Sequence, residues 1–351
     1  FADYDRTWGT YGIVLDSNGL NYQGDDDSFD VEYGTDGLSV RIVYSGATNG
    51  WIPTLDKTVE DVPSKGNENG IFSYGIVSGS ESMSNIVSNV GVVAADVTGV
   101  GTTRYNLGAT EYGGDKGIIG YGMDDAGSPY SMTNLVSNVG VISADVTGVG
   151  TARSGIAGAE YGGDKGIFGY GAASGTNVSM TNLVTSVGVV GTDVTGVGTN
   201  KTDLGACEYG TDTAIFGFGY PVDPGSSNLV SNTGVVATDV TGVGTQRSTL
   251  TACSYGNDKG IFGYGSGTPS HLSLTNLVSN TGVISTDVTG VGTGRQCLAS
   301  CEYGLDKGIF GYGQNGGNTA ITNLVSNTGV VSADVSGVGS ARQYLAGCSY
   351  N

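Results

Sequence analysis

The sequence predicts an all-β chain, a closed ring of near-identical short sheets preceded by a small antiparallel β module. Three observations carry that expectation. A motif of the GIFGYG type returns at residues 70, 117, 166, 214, 260 and 308, a period of 46 to 49 residues, and a fixed period of this size marks a repeat architecture. Each period holds four short strand candidates between Gly-rich turns, with no helical spacing of apolar residues. Four strands in about 48 residues is the size of one β-propeller blade, whereas solenoid coils are shorter, about 20 to 30 residues.

Residues 1–66 stand outside the repeat and hold both tryptophans, Trp8 and Trp51. Leu38 to Tyr44 alternates as a half-buried strand does. Turn signals at Ser17-Asn18-Gly19, Gly24 to Asp27, Thr35-Asp36-Gly37 and Ala47 to Gly50 bound the short runs. This reads as the antiparallel module, and the polar stretch from Glu60 to Asn69 reads as the linker into the repeats at 67–351.

Within a repeat the strand candidates are Arg104 to Tyr112, Gly117 to Tyr121, Thr133 to Ser137 and Gly140 to Val146. A tight turn at Gly113 to Lys116 joins the first two. A loop of variable sequence joins the next two, and Thr147 to Gly150 forms the Gly-rich corner. The second-strand motif occurs six times. The first-strand motif also occurs six times, from Arg104, Arg153, Lys201, Arg247, Arg295 and Arg342. The second strand at Gly70 lacks a first strand before it, and the first strand at residues 342–350 lacks a second strand after it. The two leftovers are expected to pair, closing a six-bladed ring and removing two exposed edges.

Composition bounds the function. The chain has 351 residues with 64 Gly, 14 basic against 33 acidic residues and a net charge of −19. Such a surface repels nucleic acid and anionic membranes, and no run approaches the 18 or so apolar residues of a membrane span. Cys207, Cys253, Cys301 and Cys348 each lie two residues before a Tyr, in a slot filled by Thr110 and Ala159 in other repeats. A slot shared by Thr, Ala and Cys wants a small buried side chain, so free packed thiols are expected.

Each repeat also carries an Asp eight residues before its Arg or Lys, as in Asp145/Arg153. A ring of carboxylates could coordinate cations. A corner ion pair or backbone cap repeated with the scaffold is the structural reading, and it is preferred because identical residues in every repeat serve the ring. The only histidine, His271, lies in a loop, so a multi-histidine metal centre is excluded and a Ser–His–Asp triad could form only around it. Paired carboxylates for glycoside hydrolysis could come from Asp124, Asp125 and Asp223. Asp25-Asp26-Asp27 could hold Ca²⁺ but lacks the alternating ligand spacing. No cofactor is otherwise expected.

Variation between repeats concentrates in the loops between second and third strands. A uniform scaffold with one variable rim is how repeat folds present a binding surface. The candidate ligand-binding residues are therefore Asp124, Asp125, Tyr130, Asn177, Tyr220, Asp223, His271, Asn315 and Asn318, whose aromatic and polar groups suit stacking on, and hydrogen bonding to, sugars.

The order Arg153…Ala157-Gly158-Ala159-Glu160-Tyr161, tight turn Gly162 to Lys165, then Gly166-Ile167-Phe168-Gly169-Tyr170-Gly171 resembles the kelch repeat. It departs from it in having Gly-Tyr-Gly for the Gly-Gly pair and no Trp in the fourth strand. The kelch resemblance covers roughly residues 70–351 and implies a propeller; the copper site of kelch-fold oxidases needs histidines this chain lacks. The TNLVSNTGVV and DVTGVGT wording resembles repeats of structural proteins of marine tailed phages. Trp8 to Gly19 and Val40 to Pro53 are similar to small β modules of phage virion and fibre proteins. These resemblances imply a non-enzymatic virion-surface protein: a fibre, spike or decoration component. Residues 1–66 would contact other virion proteins or build a homo-oligomer, a trimer in a fibre, and the rim loops would bind host glycan. The alternatives are a secreted bacterial or archaeal adhesin or extracellular filament subunit, and a glycan-cleaving enzyme.

Overall fold

The computed structural model describes residues 1–23, 31–58, 67–221, 225–268 and 270–351. Asp25, Asp26, Asp27, Asp223 and most of the expected linker, residues 60–66, lie outside the described residues. The described chain is all-β apart from one four-residue helix, and it divides into two compact units, Phe1–Ser64 and Lys65–Asn351. No helix is long and apolar enough to cross a membrane among the described residues.

The first unit contains α1 (Trp8–Tyr11) and two antiparallel pairs, β1 (Ile13–Leu15) with β2 (Val31–Tyr33) and β3 (Leu38–Tyr44) with β4 (Trp51–Thr58). The register of the second pair shifts between Arg41 and Ile42, beside Pro53, which has no N–H to give the ladder. The Asp3 carboxylate, 2% exposed, accepts the backbone N–H groups of Thr7, Trp8 and Gly37 at 3.0 Å each.

The second unit is a series of three-stranded antiparallel sheets, one per repeat. The first contributes β5 (Asn69–Ile76) and β6 (Ser80–Val87). Next come β7 (Gly108–Tyr112), β8 (Lys116–Gly120) and β9 (Thr133–Val136), followed by β10 (Ala157–Tyr161) and β11 (Lys165–Gly169). A small hairpin of β12 (Ala172–Ala173) and β13 (Thr176–Asn177) precedes β14 (Thr181–Val184). The remaining repeats give β15 (Gly205–Tyr209), β16 (Thr213–Gly217) and β17 (Ser227–Val230); β18 (Thr251–Tyr255), β19 (Lys259–Gly263) and β20 (Thr275–Val278); and β21 (Ala299–Tyr303), β22 (Lys307–Gly311) and β23 (Thr322–Val325). The last strand, β24 (Ala346–Tyr350), completes the first sheet, in the order β24-β5-β6, with Tyr350 opposite Asn69 and Ala346 opposite Ser73. The leftover strands therefore pair as their motifs require.

Each sheet packs on the next, and the contacts return to their origin. First strands touch in the cycle β7, β10, β15, β18, β21, β24 and back to β7. Six apolar clusters fill the six junctions; one joins Ile71 and Tyr74 to Ile119, and another joins Phe72 to Ile309 and Tyr312. Two belts of backbone hydrogen bonds run round the same cycle. In the first, the N–H groups of Asn106, Gly155, Asp203, Thr249, Cys297 and Tyr344 each donate to the carbonyl of the preceding member, at 2.8–2.9 Å, and Asn106 donates to Tyr344. In the second, hairpin turns are linked Gly113 to Asp164, Gly162 to Asp212, Gly210 to Asp258 and Gly256 to Asp306. The chain segments around β24 and β5 complete it, with Gly304 donating to Glu68 and Asn351 to Asp115.

Two elements differ from the sequence expectation. The first strand starts at Gly108, not Arg104, because Asn106 and its equivalents take a left-handed backbone, φ 59° at Asn106, to join the first belt. The fourth strand is reduced to two isolated bridges, Val136 to Ile142 and Thr133 to Val146. Between them the Asn134 side-chain amide donates to the Ser143 carbonyl at 3.0 Å and to Asp145 at 2.9 Å. A side chain thus fills the ladder position that a continuous fourth strand would need.

Candidate functional site

The repeated Asp and Arg positions are brought together, but not in the pairs their sequence spacing suggests. Arg153 lies within 3.5 Å of Asp193, forty residues on, rather than joining Asp145, and Arg342 meets Asp96 at 3.8 Å across the chain closure. Each carboxylate also caps the neighbouring corner: Asp193 accepts the Thr151 N–H at 3.0 Å and hydroxyl at 2.7 Å, and Asp96 does the same for Ser340. Burial works against ionisation of Asp96. The hydrogen bonds from Asn85 and Ser340 and the charge of Arg342 outweigh it and hold the carboxyl below its ordinary value. The carboxylates are thus corner caps, and among the described residues no group of three or more His, Cys, Asp or Glu is placed to hold a metal.

The arginines are fully buried, 0–1% exposed. Each guanidinium lies over an aromatic ring of the preceding sheet, as Arg342 does over Tyr312 at 4.4 Å and Arg247 over Phe218 at 4.3 Å. Burial pushes the Arg247 pKa down to about 10. Cation–π contact and carboxylate pairing offset that desolvation. The fourth repeat carries Lys201 instead. Its ammonium donates to the Ser226 carbonyl and hydroxyl, and Ser226 stands where Met132 and Met180 stand in other repeats.

The loop residues are tied into the fold. Asp124 accepts from Ala126 N–H at 3.0 Å, Ser128 N–H at 2.8 Å and the Tyr130 hydroxyl at 3.1 Å, and these bonds, Ser128 foremost, hold its carboxyl below its ordinary value. Asp125 reaches the preceding repeat and accepts the Ser80 N–H at 2.9 Å. Asn177 donates to the Tyr220 carbonyl at 3.1 Å, and Asn318 to Ile76 and Val77 carbonyls at 3.1 and 3.0 Å. His271 bridges Ser266 within its own loop, while Asn315 and Tyr220, the latter 54% exposed, remain open to solvent. The structure therefore joins Asp125, Asn177, Tyr220 and Asn318 into loop-to-loop links between neighbouring sheets. It does not bring the eight described candidates into one cluster.

Sequence reasoning missed the central channel, onto which the first strands of all six sheets turn one face. At one mouth, a cavity of about 100 Å³ is ringed by Asn106, Gly155, Asp203, Thr249, Cys297 and Tyr344, the residues of the first belt. Six equivalent positions carry six different residues, on a scaffold that is otherwise nearly uniform. Asn106 donates to Asp203 at 3.2 Å, reaching past Gly155. Burial raises the Asp203 pKa. Ala109, Gly158, Ala206, Ala252, Ser300 and Gly347 form a narrow waist shared with a second cavity of about 40 Å³. At roughly 15 Å³ per water, that second cavity has room for two or three. Around it stand Glu111, Glu160, Glu208 and Glu302, with Ser254 and Ser349 in the remaining two equivalent positions. The Glu-Tyr pair was visible in four of the repeats, and strand alternation alone would have pointed every such Glu to the same face.

All five cysteines are free and buried. Burial pushes their pKa values up, so the thiols stay neutral. No family model matches the chain, and no curated protein matches it at a significant level.

Proposed function

We propose that residues 67–351 form a six-bladed kelch-like β-propeller closed by the C-terminal strand, and that the protein is a non-enzymatic structural component of a tailed-phage virion: a fibre, spike or decoration protein. Each three-stranded sheet is one blade. The cyclic strand contacts, six junction clusters and two closed belts support that architecture. One observation carries the functional reading. The Asn–Asp–Thr corner network is repeated in every blade, with Ser340 in the Thr place once, so the repeated polar groups serve the ring, while variation between repeats is left to the loops. A rigid disc with variable loops displays a surface rather than performing chemistry. The wording of the repeats and of residues 8–53, similar to phage virion proteins, favours a particle over a cell wall. The first unit attaches to other virion proteins or trimerises, and exposed Tyr220 and Asn315, with half-buried His271, offer groups to host glycan.

Immunogold labelling and mass spectrometry of purified particles from the source culture test the placement. Signal on capsid or tail supports it, and absence from the particles overturns it. A glycan array probed with the full chain and with Tyr220→Ala tests the rim separately; binding that the variant weakens several-fold supports it.

A further inference from the structure

The mouth of the channel breaks the pattern of the ring. Positions such as Asn134 and Asp145 recur unchanged in all six repeats, whereas the first belt carries Asn106, Gly155, Asp203, Thr249, Cys297 and Tyr344. All six hold a left-handed backbone, φ 52–63°. Gly and Asn adopt that conformation at least cost, and either would serve a belt that uses only main-chain groups. Thr249, Cys297 and Tyr344 bear a strain there that the belt itself does not require. Their side chains line the cavity of about 100 Å³. The residue before a belt position bridges to the start of a variable loop, as Tyr105 does to Met123 and Thr202 to Tyr220, so the cavity opens on the face that carries those loops.

Asp203 is the one carboxylate lining this cavity, and no Lys, Arg or His lines it among the described residues. Its side chain has one hydrogen bond, from the Asn106 amide at 3.2 Å. Glycine at position 155 makes room for it, since a Cβ there would lie 2.8 Å from Asp203 Oδ1. Burial keeps the Cys297 thiol and the Tyr344 phenol protonated, as it does Tyr105 beside them, so none of these groups balances a carboxylate. We propose that the mouth binds the ammonium end of a slender aliphatic amine, with Asp203 accepting from the ammonium and the Tyr344 ring adding cation–π attraction. Burial raises the Asp203 carboxyl, and an arriving ammonium supplies the charge that favours its ionised form. The cavity is smaller than the roughly 150 Å³ that holds benzene, so it takes an ammonium with two or three carbons and rejects bulky quaternary ions. A divalent metal ion needs several oxygen ligands, and no group of three or more His, Cys, Asp or Glu is placed to hold one among the described residues. The site is separate from the rim loops offered to glycan. A free alkylamine and the end of a partner's lysine side chain present the same chemistry.

Amide NMR titration of the full chain with ethylammonium chloride, against potassium chloride at equal ionic strength, tests this. Shifts should centre on Asn106, Asp203, Thr249 and Tyr344, with a Kd of about 1 mM, near the ceiling for three non-hydrogen atoms. Ethanol, which matches the shape without the charge, and tetraethylammonium, which carries the charge but exceeds the cavity, should each bind about tenfold more weakly or worse. On the wild-type chain alone, three results overturn the proposal: no saturable shift, ethanol binding as well as ethylammonium, or shifts confined to the amides around Glu111 and Glu302, beyond the waist. Asp203→Asn should weaken ethylammonium binding by about tenfold or more, and Tyr344→Leu should weaken it several-fold. Wild-type affinity in a folded Asp203→Asn chain also overturns the site. Nα-acetyl-lysine methylamide distinguishes the sources: tighter binding than ethylammonium assigns the mouth to a lysine side chain of a protein partner, and weaker binding assigns it to a free amine.

Discussion

Tyr74, Tyr121, Tyr170, Phe218, Tyr264 and Tyr312 each hold a left-handed backbone, φ 61–65°, which bulky side chains rarely adopt. The buried Arg or Lys against the ring over-determines this strain, and five of the six rings are stacked by an arginine. The Tyr264 hydroxyl adds a bond to the Val291 carbonyl at 3.1 Å, which Phe218 shows to be dispensable. Tyr264→Phe should therefore cost about 0.5–1.5 kcal/mol. Tyr264→Ala, which also takes the face from Arg295, should cost about 3–5 kcal/mol by chemical denaturation. The Lys201 repeat gives a second test. Ser226→Met should cost about 1–3 kcal/mol by removing a hydroxyl from a buried ammonium. Adding Lys201→Arg should recover most of that, since Arg beside Met is the arrangement at Arg104 and Met132.

Between elements, the small-residue slot is matched to the sheet beside it. A Cβ built on Gly260 would lie 2.4 Å from Cys207 Sγ, and one on Gly308 2.5 Å from Cys253 Sγ. Where the slot is Ala159, the opposing residue is Ala214, and both are buried in the same junction. Gly260→Ala should thus cost about 1–3 kcal/mol through overpacking, and Cys207→Ala in the same chain should relieve most of it. This compensation could be read in the repeats, because both positions vary in step. The fourth-strand reduction and the Arg–Asp pairing could not. Sequence neighbours eight residues apart suggested Asp145 with Arg153, whereas sheet geometry carries the chain out and back before presenting Asp193. The channel mouth was hidden for a different reason: six unlike residues make no motif, and only the shared left-handed backbone unites them.

At the scale of the whole ring, closure rests on β24. Removing residues 342–351 takes away a strand of the first sheet, the Arg342–Asp96 pair and members of both belts. The truncated chain should melt lower by on the order of 10 °C or more, and unchanged melting would disprove the structural role of the seam. The corner carboxylates set the acid limit. Asp96, Asp145, Asp193, Asp239, Asp287 and Asp334 are all held below the ordinary value of 3.8. A depressed carboxyl contributes stability that is present above the unfolded pKa and lost as pH falls through the folded one. The second unit should therefore weaken below about pH 4, and substituting one corner Asp by Asn should flatten that acid limb in a pH series of melting curves.

The order of synthesis gives the seam a further meaning. Strand β5 is made before the other repeats, and the strand that completes its sheet follows roughly 270 residues later. At about 5–20 residues per second, the ribosome leaves the β5 edge without β24 for tens of seconds. During that time five later sheets, built from nearly the same wording, offer it first-strand sequences of almost the same register. A nascent ring is therefore exposed to mispairing with its own repeats or with those of a neighbouring chain on the same message. The residue that differs at the seam, Ser73 in the position of Gly120 and Gly169, is placed where a growing chain needs to tell its own last strand from the others.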